Sequence, residues 1–436
     1  MAVGFSRDMW YNYIADRSHP PVASAVVEKP EYDPDHVYAW KPANNYKGWK
    51  LIARGEAGVD DAEVIQRALD LYKYKDTHPE AEEGGYPKDR IVFQGEFIIS
   101  KTIYIPSLVV LDFQQARLTL RSNANCDMFA AYDPFGGHNV YILGGIFDGN
   151  KDNNSTGSCF RLDACSRVTI INSYILNFAD HGIFVSDGNY LWHSKLISLH
   201  IRNCNGCGVY IGNGDRVNTV ALDIRGCKNG IRINGGEMTD LGSYIINSLE
   251  HGLYIATGWC TFIGTKIQES SASSPGTYSN IYTNVQDNIF VGVICYREYN
   301  PTKPKYDVEE IAYYEGNKYI ACTFRGSRQG LSLIYPQWDT FSYRTIVETN
   351  PSKDEFIKRF LSNKGTATFS GDGSTTQFKI AHGLVSTPSK VLVTPMSADA
   401  AGDFYVTADD TYIYINYKTA PPSGTDNIKL SWYAEV

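Results

Sequence analysis

Long apolar runs are missing from this chain of 436 residues, and no window approaches the 18 or so consecutive apolar residues that a membrane-spanning helix requires. Positive charge is short as well. Lys and Arg total 40 against 48 Asp and Glu, a formal net charge of −8, which disfavours nucleic acid as the main partner. The opening MAVGFSRDMWYNYIADRSHPP lacks an apolar core behind a basic flank, so no Sec signal peptide is expected. Work outside the cell would then need release by lysis, carriage on a virion or another route. Cysteine is present but not organised. There are nine, an odd number, and Cys204 and Cys207 form the only CxxC, with no second pair at metal-ligand spacing. Cys165, Cys204, Cys207, Cys227 and Cys260 sit in or beside repeats and read as small buried residues. That usage suits reducing synthesis rather than a disulfide scaffold, and no metal site is expected.

What the chain does have is a repeat. HGIFV at 181–185, CGVYI at 207–211, NGIRI at 229–233 and HGLYI at 251–255 align on Gly182, Gly208, Gly230 and Gly252, at intervals of 26, 22 and 22 residues. CFRL at 159–162 fits one coil earlier and NIYT at 280–283 one coil later. A second strand recurs in each coil, in VTIINSYI at 168–175, LISLHI at 196–201 and TVALDI at 219–224. Stacked coils of this length specify an all-β fold, a right-handed parallel β-helix. The repeat glycines are expected where the chain turns sharply and adopts positive φ. Period two turns Ile183, Val185, Val209, Ile211, Ile231, Ile233, Leu253 and Ile255 inward. It turns Phe184, Tyr210, Arg232 and Tyr254 outward in one column.

Composition divides the rest. Residues 1–50 are rich in Tyr, Trp and Pro without a period and read as an N-terminal arm or adaptor. In VDDAEVIQRALDLYKY at 59–74, Val64, Ile65, Ala68, Leu69 and Tyr72 fall at helical spacing, with Asp60 or Asp61 as cap. One such helix ahead of many strands would plug the end of the β-helix assigned to 51–350. The charged, Tyr-rich stretch 296–319 reads as an inserted hairpin or loop, and 351–364 as a linker or short helix. Alternating strands and turns over 365–436 indicate a small β-sandwich.

Register nominates chemistry. Seven positions beyond the repeat glycine fall Asn189, Asp215, Glu237 and Trp259, so Asp215 and Glu237 stack if the loops are alike, and Asp187 could join them. Two such carboxylates serve as a glycosidase acid and base, with roughly 5–5.5 Å between them in retaining enzymes and 6.5–9.5 Å in inverting ones. Arg216 and Arg232 could hold an acidic sugar, and the outward aromatics could stack on sugar rings. The same acids could instead cap turns, and the aromatics could simply pack across strands. Asp180–His181 and Glu250–His251 precede the repeat glycines and are acid/base dyads or repeated turn residues.

GVDDAEVIQRALD, the element GGIFDGN at 144–150 and the tail containing GDGSTTQFKIAHGL and SWYAEV carry a resemblance over most of residues 50–436. The first two resemble the pectate-lyase-like β-helix superfamily, with its phage tailspikes and polysaccharide depolymerases. The third looks like a β-sandwich module of viral tail proteins. The resemblance implies a homotrimer on a virion or extracellular surface, a polysaccharide substrate or receptor, other tail proteins as partners of the N-terminal arm, and Asp148 facing the same groove. The polygalacturonase branch carries N-x-D, D-D, G-H-G and R-x-K in order. Here Asp180-His181-Gly182 echoes only one of these, so that mechanism is not carried over. Nor is the carboxylate cluster of the calcium-dependent lyases matched, which leaves a calcium requirement open. Three functions remain: a glycoside hydrolase, a receptor-binding or structural spike without catalysis, and a polysaccharide lyase.

Overall fold

Short runs of Val, Ile, Leu and aromatic residues, broken by Gly, Asn and Ser, form three columns of parallel strands that stack coil upon coil. The first column is a ten-stranded sheet that includes Ile183–Val185, Val209–Ile211, Ile231–Ile233 and Leu253–Ile255. The second includes Thr169–Ile171, Lys195–Ile197, Gly214–Val220 and Gly236–Leu241. The third includes Tyr174–Leu176, His200–Arg202, Asp223–Arg225 and Tyr244–Ile246. The computed structural model describes residues 23–30, 33–42, 49–72, 89–132, 137–285, 287–296, 304–311, 317–325, 327, 362–384 and 386–436, and the backbone alone of 331–332, 340–342, 346–349 and 357–360.

The register of the first column is the one the repeat implies: Ile183, Val209, Ile231 and Leu253 are partners in turn, and Phe160 and Ile281 extend the row at either end. Two local expectations fail. The segments read as one strand at 168–175, 196–201 and 219–224 are each two strands, split at a residue in the left-handed region: Asn172 (φ 56°), Ser198 (52°) and Ala221 (51°). The repeat glycines, by contrast, are not at positive φ. They are required by close approach. A Cβ on Gly230 would lie 2.3 Å from Ile245 Cγ2 and 2.6 Å from the Gly252 carbonyl oxygen, and Gly182, Gly208 and Gly252 meet the next coil in the same way.

Inward residues form one continuous core. Like residues stack on like along it: Phe129 on Phe160 at 5.1 Å, and Phe262, Phe290 and Tyr319 at 5.4 and 4.9 Å. Buried acids interrupt it, Asp240 among them. Asp240 accepts hydrogen bonds from the hydroxyls of Thr219, Ser243 and Thr265, each at 2.5 Å, while burial pushes its carboxyl above the usual range.

Helix α1, Asp61–Asp70, buries Ala62, Val64, Ile65, Ala68 and Leu69 against the first strands. Asp60 makes no side-chain cap. Buried Asp61 instead accepts from the N–H groups of Gly58 (3.0 Å) and Ile98 (2.6 Å) and pairs with Lys29 at 2.6 Å, tying the helix to the sheet. The described part of 1–50 is also tied in: Ala25–Glu28 pairs parallel to Asp89–Ile99 and antiparallel to His36–Pro42. Residues 1–22, the start of the expected arm, lie outside the described residues.

Of the described residues within and beside 296–319, Val308–Glu310 and Lys318–Ile320 each pair with the coil before, while 297–303 and 312–316, where the expected hairpin or loop would fall, lie outside the described residues. Buried Glu310 is held there by Asn317 (2.7 Å) and Tyr319 (2.5 Å). In the linker segment, Ile357–Phe360 is a strand antiparallel to Ile346–Thr349, not a helix. The C-terminal part is a sandwich of two three-stranded sheets closing over Ile413, Ile415, Ile428, Leu430 and Ala434. No helix of the described residues is long and apolar enough to cross a membrane.

Candidate functional site

The first column presents its outward residues as a continuous stripe. Phe184, Tyr210, Arg232 and Tyr254 are successive partners, as expected, and Arg161 and Tyr282 continue the row. Two cations are set among the rings. Arg161 lies 5.6 Å from the Phe184 ring, and Arg232 lies 5.3 Å from Tyr210 and 4.4 Å from Tyr254. Tyr254 stacks on Tyr282 at 4.9 Å, and His181 on Phe184 at 4.8 Å.

At the C-terminal end of these strands a polar network crosses three coils. Tyr210 donates its hydroxyl to Asp187 at 2.9 Å. Asn234 donates to Asp187 at 2.9 Å and to the Tyr210 oxygen at 2.7 Å, and accepts from Arg232 at 3.0 Å. Burial first, and the Asp187 carboxylate second, push the Tyr210 phenol up to about 12. Asp187 thus serves Tyr210. No contact of it with Asp215 or Glu237 is found among the described residues. Asn234 stands one residue past the strand, at a position that neither the outward period nor the seven-residue offset singles out.

A second constellation lies around the corner, where the chain enters the second column. Gly214 pairs with Gly236, and a bulge follows, which places Asp215 and Arg216 beside Glu237. Arg216 Nε is 4.0 Å from Asp215 Oδ1 and 3.9 Å from Glu237 Oε1. These distances put the two carboxylate oxygens no more than about 8 Å apart, short of the upper end of glycosidase acid-pair separations. Both side chains are close to half exposed, at 48% and 44%. The partner of Asp215 on the preceding coil is Trp192, not Asn189, because that coil has the longer loop. Counting back from the paired Lys195 and Asn218 would have found it. Trp192 stacks on Tyr190 at 3.9 Å, and the neighbouring His193 Nε2 is 3.7 Å from Asp215. Trp259 precedes Thr261 by two residues, as Glu237 precedes its partner Thr239, and is 71% exposed. The two carboxylates are therefore flanked along the column by two tryptophans.

The dyads hold turns. Asp180 accepts the N–H of Gly157 at 2.7 Å, and His181 Nδ1 that of Cys207 at 2.8 Å. His251 Nδ1 accepts from the Ser279 N–H at 3.1 Å, and Glu250 takes up Asn229 at 3.4 Å and Lys228 at 3.6 Å. Asp148 is in the third column, bound to Arg117 at 2.9 Å, and so does not face the first-column stripe. Cys204 and Cys207 are buried thiols. Among the described residues no group of three His, Cys, Asp or Glu is placed to hold a metal ion.

No protein-family model matches the sequence, and no curated sequence relative matches it. Similar solved structures are mostly phage tailspike proteins and β-helix enzymes. Geobacillus virus E2 ORF18 matches with 14% identity and TM-score 0.41, over 96% of this chain and 89% of that one. The Acinetobacter phage vB_ApiP_P1 tailspike protein matches with 10% identity and TM-score 0.39, over 97% of each. The A-module of Azotobacter vinelandii mannuronan C-5 epimerase AlgE6 matches with 13% identity and TM-score 0.37, over 68% of this chain and 97% of that one. Likenesses this distant assign no residue a role.

Proposed function

We propose that this chain is a tailspike-like protein that binds a cell-surface polysaccharide and hydrolyses its glycosidic bonds at Asp215 and Glu237. The observation that carries the reading is the acid pair itself, on adjacent coils, joined through Arg216 with its oxygens no more than about 8 Å apart, and flanked by Trp192 and Trp259. One carboxylic acid protonates the departing glycosidic oxygen. The other carboxylate takes a proton from the attacking water, or attacks the anomeric carbon itself. Arg216 holds the pair at rest and presents a cation to an acidic sugar. The aromatic stripe from Phe184 to Tyr282 extends the surface along which a long glycan would lie. In this reading the protein assembles as a homotrimer on a virion, with the residues ahead of the solenoid docking to other tail proteins, and the sandwich assists in trimerisation or glycan binding.

A second reading, a receptor-binding spike without catalysis, is favoured by the exposure of both carboxylates, each close to half open to solvent. The test is to incubate the protein, and the Asp215→Asn and Glu237→Gln variants, with purified bacterial capsule or exopolysaccharide. New reducing ends from the wild type, reduced about 100-fold or more in either variant with binding retained, are expected. Full activity in both variants overturns the acid assignment. Ultraviolet-absorbing unsaturated ends indicate elimination, and binding with the glycan mass unchanged indicates the receptor-binding reading.

A further inference from the structure

The corner at which the chain enters the second column is left-handed on four successive coils, at Asn139 (φ 54°), Arg167 (54°), His193 (49°) and Arg216 (52°). The corners are in register. The Asn139 N–H donates to the Ser166 carbonyl at 2.9 Å, that of Arg167 to Trp192 at 2.7 Å, and that of His193 to Asp215 at 2.8 Å. Each acceptor is the residue just ahead of the next corner. Left-handed backbone disfavours L side chains, and glycine would fit without that strain. Three of the four corners nevertheless carry a basic side chain, and the last two stand against Asp215. Residues held in strain of this kind cluster at functional sites.

His193 reaches Asp215 from the coil before, and Arg216 reaches it from the same coil. His193 Nε2 is 3.7 Å from Asp215 Oδ2, and Arg216 Nε is 4.0 Å from Asp215 Oδ1. The two nitrogens therefore face different oxygens of one carboxylate. Asp215 stands beside a bulge with its side chain 48% exposed. A carboxylate held there at one oxygen still swings about its own bond, and one held at both has its plane fixed. Arg216 is shared, since it also lies 3.9 Å from Glu237 Oε1. Among the described residues His193 pairs with Asp215 and not with Glu237. The imidazole is itself anchored. Its backbone is bonded to the residue that its ring faces, Leu191 is buried two residues earlier, and Trp192 between them stacks on Tyr190 at 3.9 Å. A gap of 3.7 Å is of the kind that closes to hydrogen-bond length when substrate binds.

We infer that His193 is a positioning residue for Asp215: its imidazole holds one oxygen of that carboxylate while Arg216 holds the other, which fixes the direction in which the acid faces the glycan. The inference rests on the hydrolytic reading above. A reacting carboxylate must be held within about 0.5 Å of its productive place, and His193 supplies the constraint that the exposed rim of the solenoid does not.

The experiment uses the full chain and a purified bacterial capsule or exopolysaccharide, with new reducing ends as the readout. Glycine suits the corner better than histidine, so His193→Gly is expected to melt no lower than the wild type. Its kcat is expected to fall about 10- to 100-fold, with KM within about twofold. Added imidazole is expected to restore part of the lost kcat, and His193→Gln, which keeps a nitrogen donor, to retain more activity than His193→Gly. The double variant His193→Gly/Asp215→Asn is expected to be no slower than Asp215→Asn, because a positioning residue adds nothing once its carboxylate is gone. Wild-type kcat in His193→Gly overturns the inference. So does a rise in KM alone, a loss of activity that only follows a lower melting temperature, or a double variant slower than Asp215→Asn by the full His193→Gly factor. A wild type that releases no reducing ends overturns the hydrolytic reading and this inference with it, whereas an active wild type with an inactive Asp215→Asn and an unimpaired His193→Gly overturns this inference alone.

Discussion

The backbone N–H of Cys207 donates to Nδ1 of His181 at 2.8 Å. An imidazole that accepts there carries its proton on Nε2 and is neutral. Burial, above all, pushes its pKa down to about 4, with Arg232 and Lys228 adding to the effect and Asp180 opposing it. In the unfolded chain the ordinary value is about 6.5. Between the two values the unfolded state binds the extra proton, so stability rises with pH. The contribution is complete above about pH 6.5 and is lost as pH falls toward 4, up to about 3 kcal/mol. His181→Gln, which keeps an acceptor for the Cys207 N–H, is expected to melt with a shallower pH dependence over this window than the wild type. Equal slopes in thermal melts from pH 4 to 7 speak against the account.

Two glycines should respond differently to one methyl group. Gly230→Ala drives a Cβ into Ile245 and the carbonyl of Gly252, and is expected to cost about 3 kcal/mol. Gly242→Ala meets nothing within 4 Å and bears only a φ of +70°, a cost of about 1 kcal/mol. Denaturant midpoints for the two variants measure the difference, and the opposite ranking rejects close approach as the reason for the repeat glycines.

Asp240 is expected to matter more than an apolar neighbour of similar size. Asp240→Ala leaves the buried hydroxyls of Thr219, Ser243 and Thr265 without their shared acceptor, at a cost of about 3 kcal/mol. Asp240→Asn retains an acceptor oxygen and should lose less. Melting temperatures of the pair decide the matter, and equal losses show that the hydroxyls find other partners.

Trp259 combines exposure with an unfavourable backbone, φ +64°. Trp259→Gly removes that strain and is expected to leave stability unchanged or raise it by up to about 1 kcal/mol. The same change is expected to weaken glycan binding about tenfold. Calorimetric titration with the polysaccharide and a thermal melt read the two effects separately. Unaltered binding removes Trp259 from the site.

Period two and a 22-residue interval were enough to read the first column, because each inward Ile or Val is fixed by burial and each outward residue follows. Asp215 and Glu237 were legible for the same reason, lying a fixed distance from equivalent strands. Asn189 failed as their neighbour because a loop three residues longer displaces the count, and Trp192 takes the place. Ser198 and Ala221 give no compositional sign of a left-handed corner, and only Asn172 is of a type that favours one, so two strands looked like one. Asp187 was misplaced for a further reason. Its partners Tyr210 and Asn234 come from the next two coils, and reach between side chains has no signature in residue spacing.

Each coil of the first column hydrogen-bonds only to the coil before and the coil after. Length is therefore an independent variable in this architecture. A complete coil gained or lost beyond Tyr282 would lengthen or shorten the rod by about 4.8 Å without altering the rungs that carry Asp215, Glu237 and their flanking tryptophans. The reach of such a rod can change in whole-coil increments while its chemistry stays where it is.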